Sequence, residues 1–117
     1  MNPKNCPIQL DRPYKLENAS IEENLTKKST GVFTLGTMSE RADYLVAYAG
    51  RAEKDLKKEL TSLVGQTRRP LFTFEYTSSA KEAFEKQCRI YHYFEPPDNK
   101  SHPQPPEGKS WNCPTCS

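Results

Sequence analysis

GVFTLG at 31–36 and DYLVAYAG at 43–50 are the two stretches that decide the fold. Each is a short apolar and aromatic run closed by a glycine, Gly36 and Gly50, and such runs read as strands. The short connection between them makes a meander. After Gly50 the pattern changes: Leu56, Leu60, Leu63 and Val64 recur at helical spacing, which predicts a helix over 53–64. LFTFEY at 71–76 returns to a period of two and puts Phe72, Phe74 and Tyr76 on one face of a third strand. A Ser79/Glu82 capping box opens a second helix over 79–94, with Ala83, Phe84, Gln87, Cys88, Ile90 and Tyr91 on its inward side. The order is β-β-α-β-α. Three short strands and two helices are too few for a doubly wound parallel sheet. The expected class is α+β, a small three-stranded antiparallel sheet flanked by helices.

Around that core, from 31 to 94, the ends differ in character. Residues 1–30 form a polar N-terminal extension with a short helix expected near Ile21–Leu25. Residues 95–117 form a tail in which Pro96, Pro97, Pro103, Pro105 and Pro106 exclude regular structure. The hydrophobic fraction is only 34%, and a small core of this kind commonly needs a metal or disulfide staple. No apolar run reaches the length of a membrane span, and the N-terminus lacks the apolar region of a signal peptide. The cytoplasm is therefore the expected location, with reduced cysteines, and that favours metal over disulfide. The net charge of +2 is mixed along the chain, with a locally basic stretch from Arg51 to Arg69.

The cysteines come in a telling pattern. Cys88 and His92 stand four apart, on one face of the second helix. Cys113 and Cys116 form a CPTC knuckle, whose turn aims two thiolates at one ion. Together they read Cys-x3-His-x20-Cys-x2-Cys, one of the closed tetrahedral shells of structural zinc. The proline-rich segment lets the tail fold back to the helix, where Trp111 covers the knuckle. Cys6 and His102 are the alternative ligands. Thiol redox chemistry at the CPTC pair is the rival reading.

In order along the chain, GVF, the YAGR turn at 48–51, FTFEY, the KEAFEKQC…YH helix and the closing W-x-CPxC resemble the GIY-YIG nuclease superfamily. They are most similar to a group of small GIY-YIG-like proteins, over residues 31–117. The resemblance implies a three-stranded antiparallel sheet flanked by helices and a site that cuts DNA phosphodiesters. In such a site two tyrosine hydroxyls position the attacking water, a helix arginine stabilises the phosphate, and a glutamate holds Mg²⁺ as a Lewis acid. Of these positions only Tyr48 is kept, with Arg51 as a further family-like residue. Phe33 replaces the first tyrosine, Glu59 the arginine and Gln87 the glutamate. Glu82 and Glu85 stand roughly 140° and 200° around the helix from Gln87, so neither shares its face.

The function expected from these residues is a GIY-YIG-fold domain with structural zinc. Its nuclease chemistry is lost, and nucleic-acid contact is retained through Tyr48, Arg51, Lys54, Lys58, Arg68 and Arg69. The alternatives are an active Mg²⁺-dependent endonuclease with a rearranged site, and an unrelated zinc-dependent protein-interaction module.

Overall fold

The computed structural model describes residues 6–10 and 12–115. Its elements are β1 (Tyr14–Lys15), α1 (Asn18–Asn24), β2 (Gly31–Met38), β3 (Tyr44–Ala52), α2 (Leu56–Leu63), β4 (Leu71–Tyr76) and α3 (Ala80–Phe94). The class is α+β with an antiparallel sheet, in the spatial order β1-β4-β2-β3. Among the described residues the sheet has four strands, which corrects the expectation of three. The added strand β1 pairs Tyr14 with Phe72 and Lys15 with Leu71. A two-residue strand leaves no alternation to read. What holds it is tertiary: Leu16 N–H donates to the Pro70 carbonyl at 2.8 Å, and the Tyr14 ring lies 5.5 Å from Phe72 and 5.9 Å from Phe74. From β2 onward the order is the β-β-α-β-α read in the sequence, preceded here by β1 and α1.

Alternation along β2 sorts the core into two layers. Phe33 and Leu35 face α1 and α2 in one cluster with Ile21, Leu25, Leu56, Leu60 and Phe72. Val32 faces α3 and joins Ala49, Ala83, Ile90 and, from near the N-terminus, Ile8. Each large side chain buried in this way contributes about 1.5–3 kcal/mol. The last helix starts at its Ser79 cap as read, whereas α2 starts at Leu56, three residues after the expected 53, because Asp55 caps it. The Asp55 side chain accepts from Lys58 N–H at 3.2 Å, and the Ser79 hydroxyl accepts from Glu82 N–H at 3.0 Å.

Gly36 does not end β2. It sits at a β-bulge, where the register passes from Leu35 opposite Tyr48 to Gly36 opposite Val46 and leaves Ala47 without a partner residue. A Cβ on Gly36 would run into the Leu45 carbonyl and the Tyr44 ring, so glycine lets the strands stay close here and pairing continues to Met38. Gly50 has a similar reason: the Phe33 ring occupies the space its Cβ would need.

On the α3 side, the buried Thr34 hydroxyl meets Thr73 Oγ1 at 2.6 Å and the Tyr44 hydroxyl at 2.9 Å. Burial pushes the Tyr44 pKa up from 10.0 to about 12, against the lowering effect of Thr34. The neutral phenol is thus favoured in the folded state. Its stabilisation is complete below pH 10 and is lost as pH rises toward 12, amounting to about 2–3 kcal/mol. Tyr44→Phe is expected to flatten the stability–pH profile between pH 10 and 12, as followed by urea unfolding.

β3 is an edge strand, and the proline-rich tail covers it. Asp98 N–H donates to the Ala47 carbonyl at 2.8 Å, using the bulged residue. The Asn99 side chain then brackets Ala49, accepting from its N–H at 2.8 Å and donating to its carbonyl at 3.0 Å. Asp98 is fixed from the far side by Arg69, whose Nε and Nη2 donate at 2.8 and 2.9 Å to its two carboxylate oxygens. That pair holds the Asp98 carboxyl below its ordinary range. A row of edge groups that would invite another strand is covered in this way.

Candidate metal centre

Tail contacts with β3 deliver His102 to the side of α3. There Cys88, His102 and Cys113 place one ligand atom each within 4.8 Å of one another. Two ligands on a tetrahedral zinc stand about 3.4–3.8 Å apart, given Zn–N and Zn–S bonds of about 2.0 and 2.3 Å. Only a small inward movement separates the group from a metal shell. Cys88 and Cys113 are both buried and form a small cluster with Phe84, against which Trp111 packs. The Phe84 and Trp111 rings lie 6.2 Å apart.

His102 is oriented for the task. Its Nδ1 lies 2.7 Å from the Pro103 carbonyl, which can only accept, so Nδ1 donates. In the neutral ring that leaves a lone pair on Nε2. A backbone carbonyl on the far nitrogen is the usual device for orienting a metal-binding imidazole. Next to this lone pair stands His92, with its Nε2 at 3.0 Å from His102 Nε2. The Tyr91 ring meets both imidazoles edge-on, with centroids at 5.4 Å from His92 and 5.2 Å from His102.

Of the ligands expected from the sequence, Cys88 and Cys113 converge with His102, the alternative histidine, and His92 stands beside it. Cys116 lies outside the described residues. Cys6 is engaged elsewhere, its Sγ donating to the Ile8 carbonyl at 3.0 Å.

The positions carried over from the resemblance divide between the two faces of the sheet. Phe33, Tyr48 and Glu59 line one cavity of about 210 Å³ together with Leu35, Leu63, Thr67 and Asp98. Phe33 is only 2% exposed, with its ring 6.1 Å from Tyr48. Burial raises the Tyr48 pKa, Glu59 raises it further, and Arg51 opposes both. Gln87 lies on the α3 face, where it donates to the Ala49 carbonyl at 3.1 Å and accepts from Arg51 Nη1 at 2.7 Å.

Arg51 is a clamp. Its Nη2 also donates to the Gln104 carbonyl at 2.7 Å and pairs with Glu53 at 2.9 Å, and its guanidinium lies over the Phe84 ring. Arg69 is committed to Asp98, as described above. Lys54 and Lys58 are exposed and line a second cavity of about 420 Å³, in which Lys28 adds a cation and Glu53, Asp55 and Glu59 add carboxylates. Arg68 is exposed and lends its charge to Asp98. No helix of the described residues is long and apolar enough to cross a membrane.

Compared with protein-family models, with curated proteins and with solved structures, the chain matches none.

Proposed function

We propose that the chain is a GIY-YIG-like domain stapled by structural zinc, which binds nucleic acid weakly and does not cut it. The observation that carries this reading is the convergence of Cys88, His102 and Cys113, two thiols and an imidazole in a buried setting. Sulfur and imidazole suit zinc and do not suit Mg²⁺. His92 or Cys116 completes a shell with no open position, and a closed shell supports folding rather than hydrolysis.

Chemistry at the Tyr48 cavity is weak by the same physical standards. Phe33 has no hydroxyl for an attacking water. Glu59 puts negative charge where a phosphate would gather more. Gln87 is spent on Arg51 and Ala49 on the opposite face. Losing one preorganised donor commonly costs about 10²–10³ in rate. The rival reading, an Mg²⁺-dependent endonuclease, draws on Glu59 and Asp98 sharing that cavity with Tyr48. Asp98, however, gives both its oxygens to Arg69.

Incubation with branched and linear DNA in Mg²⁺ separates the two. No cleavage above background is expected, and Mg²⁺-dependent cleavage abolished by Tyr48→Phe would establish the nuclease. Binding, in turn, should run through Lys54, Lys58 and Arg68, the exposed cations of the basic stretch. With about three phosphates neutralised, affinity should fall about 40-fold between 50 and 200 mM salt. A salt-independent affinity, or one unchanged in Lys54→Ala/Lys58→Ala, would remove nucleic acid as the partner.

A further inference from the structure

We infer that the metal centre is a latch: holding His102 and Cys113 against Cys88 keeps the tail seated on the β3 edge, and metal loss uncovers that edge. The inference rests on the metal reading above and goes beyond it, from a staple for stability to control of a surface. Its basis is the order of contacts along the tail. Asp98 N–H bonds the Ala47 carbonyl, Asn99 brackets Ala49, and Gln104 accepts from Arg51. His102 falls between Asn99 and Gln104 in that same run and reaches the Cys88 group. The segment that covers the strand is therefore the segment that carries a ligand. It has no helix or strand of its own, so it leans on β3, on Arg51, on Arg69 through Asp98 and on the metal centre.

The groups under the tail are of two kinds. Ala47 offers a carbonyl and Ala49 an N–H along the outer edge of an antiparallel sheet, whereas the Ala49 carbonyl and the Arg51 guanidinium keep Gln87 as a partner when the tail leaves. Uncovered, the first two form an acceptor–donor row able to pair with an extended peptide. The latched tail satisfies these groups largely with an asparagine side chain and a few backbone groups, in place of a strand.

Coupling of this sort is reciprocal. If metal binding favours the seated tail, then contacts that seat the tail must strengthen metal binding by the same factor. Asn99 is outside the ligand group, so Asn99→Ala tests the coupling without touching a ligand. Zinc affinity of the full chain, measured by competition with a chromophoric chelator, is expected to fall at least about five-fold in Asn99→Ala. Hydrogen exchange of the β2 amides reports whether the fold survives. Should that variant unfold, Asp98→Asn, which weakens the Arg69 anchor, gives the same reading. In the parent chain, chelation should speed exchange at the Ala49 amide while β2 stays protected. Zinc bound with equal affinity by parent and folded variant overturns the latch and leaves the metal centre standing. A parent chain that binds no zinc overturns both.

Discussion

Cys113→Ser is expected to strip the chain of its metal and to lower its melting temperature by about 15 °C, the largest effect of any single change away from the sheet. A metal that binds only the folded state at a thousand times its dissociation constant contributes about 4 kcal/mol. For a chain of this size each kcal/mol shifts the midpoint by about 4 °C. The sheet should survive, because the two clusters around Phe33 and Val32 do not include Cys113. The variant should therefore melt early but cooperatively, with strand signals intact and the Trp111 environment lost. Cys6→Ser is the control: its thiol is occupied with the Ile8 carbonyl and it should keep the metal. Thermal unfolding with parallel metal analysis checks both.

Arg51→Ala should cost about 3 kcal/mol, although the residue sits in the basic stretch and has a charged side chain. Its guanidinium donates to Gln87, Glu53 and the Gln104 carbonyl, and its side chain is 14% exposed. Removing it leaves Gln87 Oε1 without its donor in a buried site, a loss of about 1–3 kcal/mol in itself. The contact with the tail goes as well. Arg51→Lys should recover little, since one ammonium cannot reproduce a planar fork that reaches three partners. Lys54→Ala, by contrast, should stay within about 0.5 kcal/mol, as surface changes do. Denaturant unfolding of the three variants gives the ranking, and an Arg51→Ala as mild as Lys54→Ala would refute the clamp.

Much of this architecture is legible in the residues, for physical reasons that also mark where the reading stops. Phe72, Phe74 and Tyr76 alternate because they share the face of β4 that packs against the Phe33 cluster, with the buried Thr73 turned to the α3 side, and Leu56 and Leu60 recur at the helical period because α2 presents one stripe. Ser79 announces its helix through a hydrogen bond that is local in sequence, whereas the Asp55 cap, equally local, goes unread and the start of α2 is placed three residues early. β1 is invisible because two residues cannot show a period, and its stability comes from Phe72 and Phe74, far away in the chain. Gly36 reads as a strand end, since glycine does end many strands, yet here it serves a bulge whose need arises from Tyr44 and Leu45 across the hairpin.

The candidate site divides in the same way. Cys88 and His92 are four apart, so a local rule pairs them. His102 converges with Cys88 through a tail whose course is set by Asp98, Asn99 and the β3 edge, contacts between residues about fifty positions apart. No spacing rule reports that. The role of Arg51 escapes for a similar reason: a basic residue beside a Tyr-x-Gly turn suggests a phosphate, and only the fold brings Gln87 and Gln104 to it.

The most direct measurement is native mass spectrometry of the full chain, purified under reducing conditions without added metal and compared with the same sample after chelation. The account predicts one zinc bound per chain, lost on chelation and absent from Cys88→Ser and Cys113→Ser. Fully reduced, folded protein that carries no zinc and takes none up when it is supplied would contradict it.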